Sequence, residues 1–226
     1  MSPCNIDEFK TTSDKLKEKL GLENSPVAVK LFLKEDEAKE TLTKIDGKFR
    51  HCEMVYKASQ GESFYATSEE EACKTGAAAL GFNELPPRVA TGEHYFAGKL
   101  FASRGSAKHA VDQIPTICED VVAMGYAPLE DAKFQPDVVI FICQPAKAMK
   151  IAQSVGRVLG KRFFADFAGV QSVCADAFAR VYLDKEPNLT LGCHGSRSFG
   201  GITDDELIIS LTGENLGCVV NSLDSL

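Results

Sequence analysis

Apolar residues recur at helical spacing from the start of the chain. Ile6, Phe9, Leu16 and Leu20 alternate with Lys and Asp over residues 7–21, which predicts an amphipathic helix stopped at Gly21. After Pro26 the period changes. Val27, Val29, Leu31 and Leu33 alternate with Ala28, Lys30 and Phe32, the pattern of a strand with one deeply buried face. Residues 35–44 then read as a charged surface helix, 51–60 as a helix and 63–67 as a short strand. Ser68 with Glu71 has the spacing of a capping box, which predicts a helix to Leu80 ended by Gly81.

The pattern weakens between residues 82 and 130, where turns signalled by Pro86, Pro87, Gly92, Gly98 and Gly105 surround one helix at 93–100. Any inserted subdomain belongs in this stretch. Beyond it, Val138, Val139, Ile140, Phe141 and Ile142 form the clearest buried strand. Pro145 opens a helix that runs to Gly160, the first half of a βαβ-like unit. A helix at 174–183, strands at 188–191 and 207–211, and a closing helix at 213–226 complete the series. Alternation of this kind predicts a mixed α+β protein, a mixed sheet with helices packed on it, in a single compact domain spanning residues 1–226.

At 226 residues the chain is long enough to bury its own core. The longest apolar runs are short, which predicts no membrane span, and the N-terminus lacks a signal-peptide pattern, which predicts the cytoplasm. A net charge of −7 repels phosphate backbones and argues against a nucleic-acid partner. No nucleotide-binding, metalloprotease or serine-hydrolase motif occurs. Neither a partner protein nor a homo-oligomer is excluded.

Cysteines are the departure from an ordinary composition, with eight at positions 4, 52, 73, 118, 143, 174, 193 and 218. In a reducing compartment each is a small core hydrophobe, a nucleophile or a metal ligand. Thiolate ligands favour loops and helix starts, where backbone amides lie close. Cys52, Cys73, Cys174 and Cys193 meet that condition in the predicted elements. Gly192 and Gly195 flank Cys193 and permit close backbone approach to a cofactor, while Ser196 and Arg197 follow as hydrogen-bond donors. Four thiolates suit an iron–sulfur cluster or a structural zinc, and the absence of any CxxC pair counts more heavily against zinc. The same cysteines also suit an apolar core, and the sequence leaves that open.

Cys143 ends the strand at 138–142, where a nucleophile or a further ligand is conceivable, although a core or pocket-wall role fits its neighbours better. The same strand end suggests an alternative: a metal-free site for a nucleotide, flavin or small anion lined by Gln144, Lys147 and Arg197. A third reading is an interaction protein with structural cysteines. Cys118 and Cys218 fall in predicted helices and Cys4 in a tail, all without an assigned role. His51 and His194 adjoin candidate ligands and suit hydrogen bonding to a cluster.

Several of these segments together resemble the DUF169 family. They are Arg50-x-Cys52 with Ala58 and Gly61, Cys73 with Gly76, Ala79, Leu80 and Gly81, and Pro136-Asp137-Val138-Val139 with Pro145, Ala148 and Met149. Cys174-Ala175-Asp176, Leu191-Gly192-Cys193-x-Gly195-Ser196-Arg197 and Asp205-Glu206-Leu207 follow. The resemblance runs from about residue 25 to the C-terminus. It implies a largely uncharacterised group from archaea and anaerobic bacteria, with no settled activity. It also implies cysteines at Cys52, Cys73, Cys174 and Cys193 and an anaerobic setting, where an oxygen-sensitive [4Fe-4S] cluster and a redox partner protein would be expected.

Overall fold

A computed structural model describes residues 5–225. Its centre is one six-stranded sheet formed by β1 (Val27–Phe32), β2 (Phe64–Ala66), β3 (Ala123–Pro128), β4 (Val138–Cys143), β5 (Asn188–Thr190) and β6 (Leu207–Thr212). The spatial order is β2-β3-β1-β4-β6-β5, and every neighbouring pair of these strands is antiparallel. The strand-to-helix run that leaves β4 next reaches β5, which runs parallel to β4 with the antiparallel β6 between them, a split form of the βαβ arrangement.

Helices α1 (Phe9–Leu20), α2 (Glu35–Lys39), α3 (His51–Ser59) and α4 (Lys74–Ala79) belong to the first half of the chain, followed by α5 (Pro87–Ala90), α6 (Glu93–Ala97) and α7 (Arg104–Val111). The second half carries α8 (Pro145–Leu159), a π-helix (Ser172–Ala179) continuing into α9 (Arg180–Asp184), then α10 (His194–Ser198) and α11 (Leu216–Ser222). The sequence signals for helix ends hold at both long helices. Gly21 and Gly160 adopt left-handed backbone at the C-termini of α1 and α8, a conformation that costs glycine nothing, and Pro145 occupies the first turn of α8.

Strand alternation divides the interior into two cores. On β4, Val138, Ile140 and Ile142 face one layer while Val139, Phe141 and Cys143 face the other; on β6, Ile208 opposes Leu207, Ile209 and Leu211 in the same way. Helices α1, α8 and α11 cover the second layer with Phe9, Leu16, Ile151, Val155, Val219 and their neighbours. Helix α3, the π-helix and part of α4 cover the first, which contains Cys52 and Cys174 as well as aliphatic residues.

Three local expectations are corrected. Strand β3, central to the sheet, lies inside the weakly patterned stretch 82–130 and reads as AMGYAP, with glycine in mid-strand. A Cβ at Gly125 would come within 2.8 Å of both the Phe32 ring and Leu42, so this packing needs glycine, and period-2 reasoning sees only an interruption. Only 85–111 gathers a small apolar cluster of its own, from Val89, Tyr95, Ala107 and Val111 on α5–α7. Residues 68–73 are not helical. Glu70 caps Thr67 through its backbone N–H (2.9 Å) and hydroxyl (2.8 Å), Glu71 accepts from the Cys73 N–H (2.8 Å), and α4 begins only at Lys74. Residues 40–44 leave the charged helix so that Lys44 can bridge to Tyr65.

Candidate functional site

Four helix starts meet on the first face of the sheet, and each carries one of the candidate cysteines. Cys52 is the second residue of α3, whose N-terminus is closed by Glu53 accepting from the Arg50 N–H at 3.0 Å. Cys73 is the N-cap of α4, and its sulfur accepts from the Gly76 N–H at 3.4 Å. Cys174 is the third residue of the π-helix and is buried. Cys193 is the N-cap of α10, where Ser196 accepts from the Cys193 N–H at 2.8 Å. First-turn amides have no intrahelical acceptor, and the sulfurs of the N-cap residues Cys73 and Cys193 accept from them, whereas the Cys174 thiol donates to the Gln171 carbonyl at 3.5 Å.

All four cysteines line one cavity of about 320 Å³. Gly76 is the point of closest backbone approach. A Cβ there would lie 3.5 Å from the Cys73 sulfur and 3.6 Å from the Cys174 sulfur, so the missing side chain leaves room that both thiols face. Among the described residues, no group of three or more His, Cys, Asp or Glu side chains could hold a single metal ion. Four sulfurs tetrahedral about one zinc, at about 2.3 Å from it, would stand about 3.8 Å apart.

The electrostatics follow from burial. Burial pushes the Cys52 thiol up to about 12, and the neighbouring Cys193, Glu53 and Cys73 add to the shift. Burial raises Cys174 as well, followed by Cys73, Cys193 and Cys52. Without a metal Cys52 and Cys174 therefore carry protons, which a metal must displace to bind. Glu71, beside the same cluster, is pushed up to about 8 by burial despite accepting backbone N–H bonds from Cys73 and His51. His51 is lowered to about 3 by burial and is neutral. Its Nδ1 lies 2.8 Å from the hydroxyl of Tyr126, a residue wholly buried in β3. Tyr95 of α6 closes another part of the wall, with its hydroxyl hydrogen-bonded to Thr75.

The other predicted site residues fall into distinct places. Gly195 lines the cavity and lets the α10 backbone pass close to the Cys193 sulfur, 3.8 Å from where a Cβ would stand. Gly192 has φ +87, and a Cβ there would be 3.0 Å from the Ser196 hydroxyl and 3.2 Å from Arg197 Nε. Arg197 spends its guanidinium on the carbonyls of Leu191, Thr203 and Glu206, and Ser196 is wholly buried, its hydroxyl bonded back to the N–H and carbonyl of Cys193. Both residues shape the Cys193 turn from behind.

His194 lines the cavity, as does His94, and packs edge-on against Phe199. Cys143 sits on the opposite face of the sheet, where burial pushes its thiol up to about 12. At that strand end Lys147 pairs with Glu23 at 3.5 Å, so neither cation of the alternative anion site is without a partner. Cys118 is exposed in a loop rather than a helix, Cys218 lies in α11, and Cys4 is outside the described residues. A second hollow, of about 280 Å³, opens beside α9, where Lys161 pairs with Glu186 (2.6 Å) and Arg180 with Asp166 (2.7 Å).

Sequence reasoning missed Gln171, Thr75 and Tyr95 as wall residues and Tyr126 as the partner of His51. Gln171, just before the π-helix, holds φ +52, a left-handed conformation for which the sequence would have suggested glycine. Nothing in its local sequence marks it.

The model of the DUF169 family, described as uncharacterised ArCR, matches residues 15–222. The uncharacterized protein MJ0308 of Methanocaldococcus jannaschii is 39% identical over 222 residues, covering 97% of this chain and 95% of the relative. No solved structure matches. No helix among the described residues is long and apolar enough to cross a membrane.

Proposed function

The chain belongs to the DUF169 family, and from that premise we propose that it holds a [4Fe-4S] cluster through Cys52, Cys73, Cys174 and Cys193. One observation carries the proposal: four cysteines separated by up to 141 positions (52 to 193) stand at four helix starts around a single cavity. A hydrophobic core has no reason to collect thiols at amide-rich helix starts, whereas a core of iron and sulfide is held by thiolates and tuned by N–H donors.

The residues fit such a group. The space above Gly76 faces two of the sulfurs, and the first-turn amides offset anionic charge that burial would otherwise disfavour. A polynuclear core does not require the thiols to converge on a single ion, and no group of three or more does so among the described residues. A bound cluster would supply one-electron chemistry, exchanged with a redox partner protein at the cavity mouth. The chain's own contribution is to fix four ligands on rigid elements and to surround them with neutral, buried groups.

Anaerobic purification with iron and acid-labile sulfide assays tests this proposal. About four irons and four sulfides per chain, lost on Cys174→Ala, are expected. A colourless protein without iron, equally stable with or without chelator, would sink the reading, and one zinc per chain would replace it.

A further inference from the structure

The stretch 82–116 leaves the end of α4 and comes back to it. Phe82 N–H donates to the Ala77 carbonyl at 2.9 Å and Ile117 N–H to the Ala79 carbonyl at 3.1 Å, so exit and return are pinned side by side. Gly81, with φ +82, lies at this neck, where a Cβ would stand 3.1 Å from the carbonyls of Ile117 and Glu119.

Beyond the neck, α5, α6 and α7 form a unit with its own interior. Val89, Tyr95, Ala107 and Val111 pack together, and a Cβ at Gly92 (φ +75) would come within 2.8 Å of the Arg104 carbonyl, so α6 and α7 lie close. Polar contacts also stay inside: Arg88 pairs with Glu93, Lys108 pairs with Asp112, and Arg104 donates to the Thr91 carbonyl.

Little ties this unit to the rest of the protein. Among the described residues, Val170 alone joins its apolar cluster from outside, and the bond between the Tyr95 hydroxyl and Thr75 is the one side-chain hydrogen bond that crosses. Leu100 lines the cavity yet is 58% exposed, so the rim is not packed down. A region with so few crossing apolar contacts and hydrogen bonds opens well below the free energy of global unfolding, and a short neck is where such a motion hinges.

What the unit covers gives that motion a consequence. Tyr95 is 7% exposed and shares the cavity wall with Cys174, itself 8% exposed. Burial raises the Tyr95 hydroxyl, and the thiols of Cys174, Cys73 and Cys193 add to the rise, which places the ring beside these sulfurs.

We propose that residues 82–116 are a hinged lid, which opens as a unit about the neck at Gly81 and Ile117, withdraws Tyr95 from Cys174 and so sets when small molecules reach the cysteines. This goes beyond cluster binding, because the lid covers Cys174 with or without metal.

The full chain, purified anaerobically and assayed for iron, is stripped with chelator and alkylated with iodoacetamide, and each cysteine's rate is divided by its own rate in urea. Cys118 is exposed, Cys174 lies under the lid, and Cys143 is buried in the packed face. Cys174 is expected to react about tenfold or more slowly than Cys118 and about tenfold or more quickly than Cys143. Tyr95→Phe, which keeps the ring and removes the bond to Thr75, should raise the Cys174 rate about fivefold and leave Cys143 unchanged. A Cys174 rate equal to that of Cys143 would mean that only global unfolding exposes it, and a rate equal to that of Cys118 would mean that nothing covers it. Either result overturns the lid, as does a Cys174 rate that Tyr95→Phe leaves unchanged. Absence of iron before stripping removes the cluster reading and leaves the lid test intact, whereas iron together with Cys174 reacting no faster than Cys143 removes the lid alone.

Discussion

The two faces of the sheet are built from the same strands and differ in what they bury. Against α1, α8 and α11 the interior is aliphatic and aromatic, with Phe9, Phe141, Ile151 and Val155 closing on one another. Against α3 and the π-helix the core is apolar near the strands and becomes polar outward, ending in thiols, an imidazole and an amide around a cavity. One face spends its burial on stability. The other gives up close packing and leaves buried His51 Nε2, Gln171 Oε1 and Glu71 Oε2 without partners among the described residues, where the packed face leaves Ser154 Oγ of α8.

The largest effect should come from the packed face. Phe141 is 1% exposed, and Phe141→Ala should cost roughly 3–5 kcal/mol in denaturant unfolding, with iron per folded chain unchanged. A loss below about 1 kcal/mol would mean that this face collapses around the gap and is not the rigid half of the molecule.

A smaller effect, confined to the cavity face, is expected for Tyr126→Phe. Removing the hydroxyl leaves His51 Nδ1 without its partner at 2.8 Å, a loss of about 1–3 kcal/mol for a buried group left unsatisfied. The His51 ring resonances should shift in the same variant, since its tautomer is no longer set. Unchanged stability and unchanged resonances would show that the Tyr126–His51 contact does not hold this wall.

The smallest effect belongs to the edge of the packed face, at Glu130. Burial alone would raise its carboxyl, but hydrogen bonds from Lys17, Ser25 and Ser13 outweigh it and hold the group below its ordinary 4.5. The folded state thus prefers the carboxylate. Its contribution is full above pH 4.5 and is lost as the pH falls through the depressed folded-state value. Glu130→Gln should therefore lower stability at pH 7 by something on the order of 1 kcal/mol, with the difference from wild type shrinking in acid. A difference that grows on acidification would contradict the assigned sign.

How much of this was legible depended on the range of the signal. Helices α1 and α8 were readable because apolar period, N-terminal Pro145 and C-terminal Gly21 and Gly160 all act within a few residues. Strand β4 was readable as an unbroken apolar run. Strand β3 was not, because Gly125 is selected by the Phe32 ring on a neighbouring strand and local alternation cannot register that. The capping-box spacing at Ser68 and Glu71 misled for the same reason: Glu71 is drawn to the Cys73 N–H, and the chain does not turn helical until Lys74.

The amino-acid sequence by itself determined an α+β chain with one sheet, the places where its long helices stop, and the chemical type of the candidate ligands at Cys52, Cys73, Cys174 and Cys193. Only the tertiary structure decided that these four share one cavity, that Arg197 and Ser196 brace the Cys193 turn from behind, and that Gln171, Thr75, Tyr95 and Tyr126 complete the surroundings. The physical reason is distance along the chain. Capping, propensity and period act over one or two turns, whereas the partner that fixes a side chain's hydrogen bonds here lies 75 residues away for His51 and 96 for Gln171, where only packing of the whole sheet brings them together.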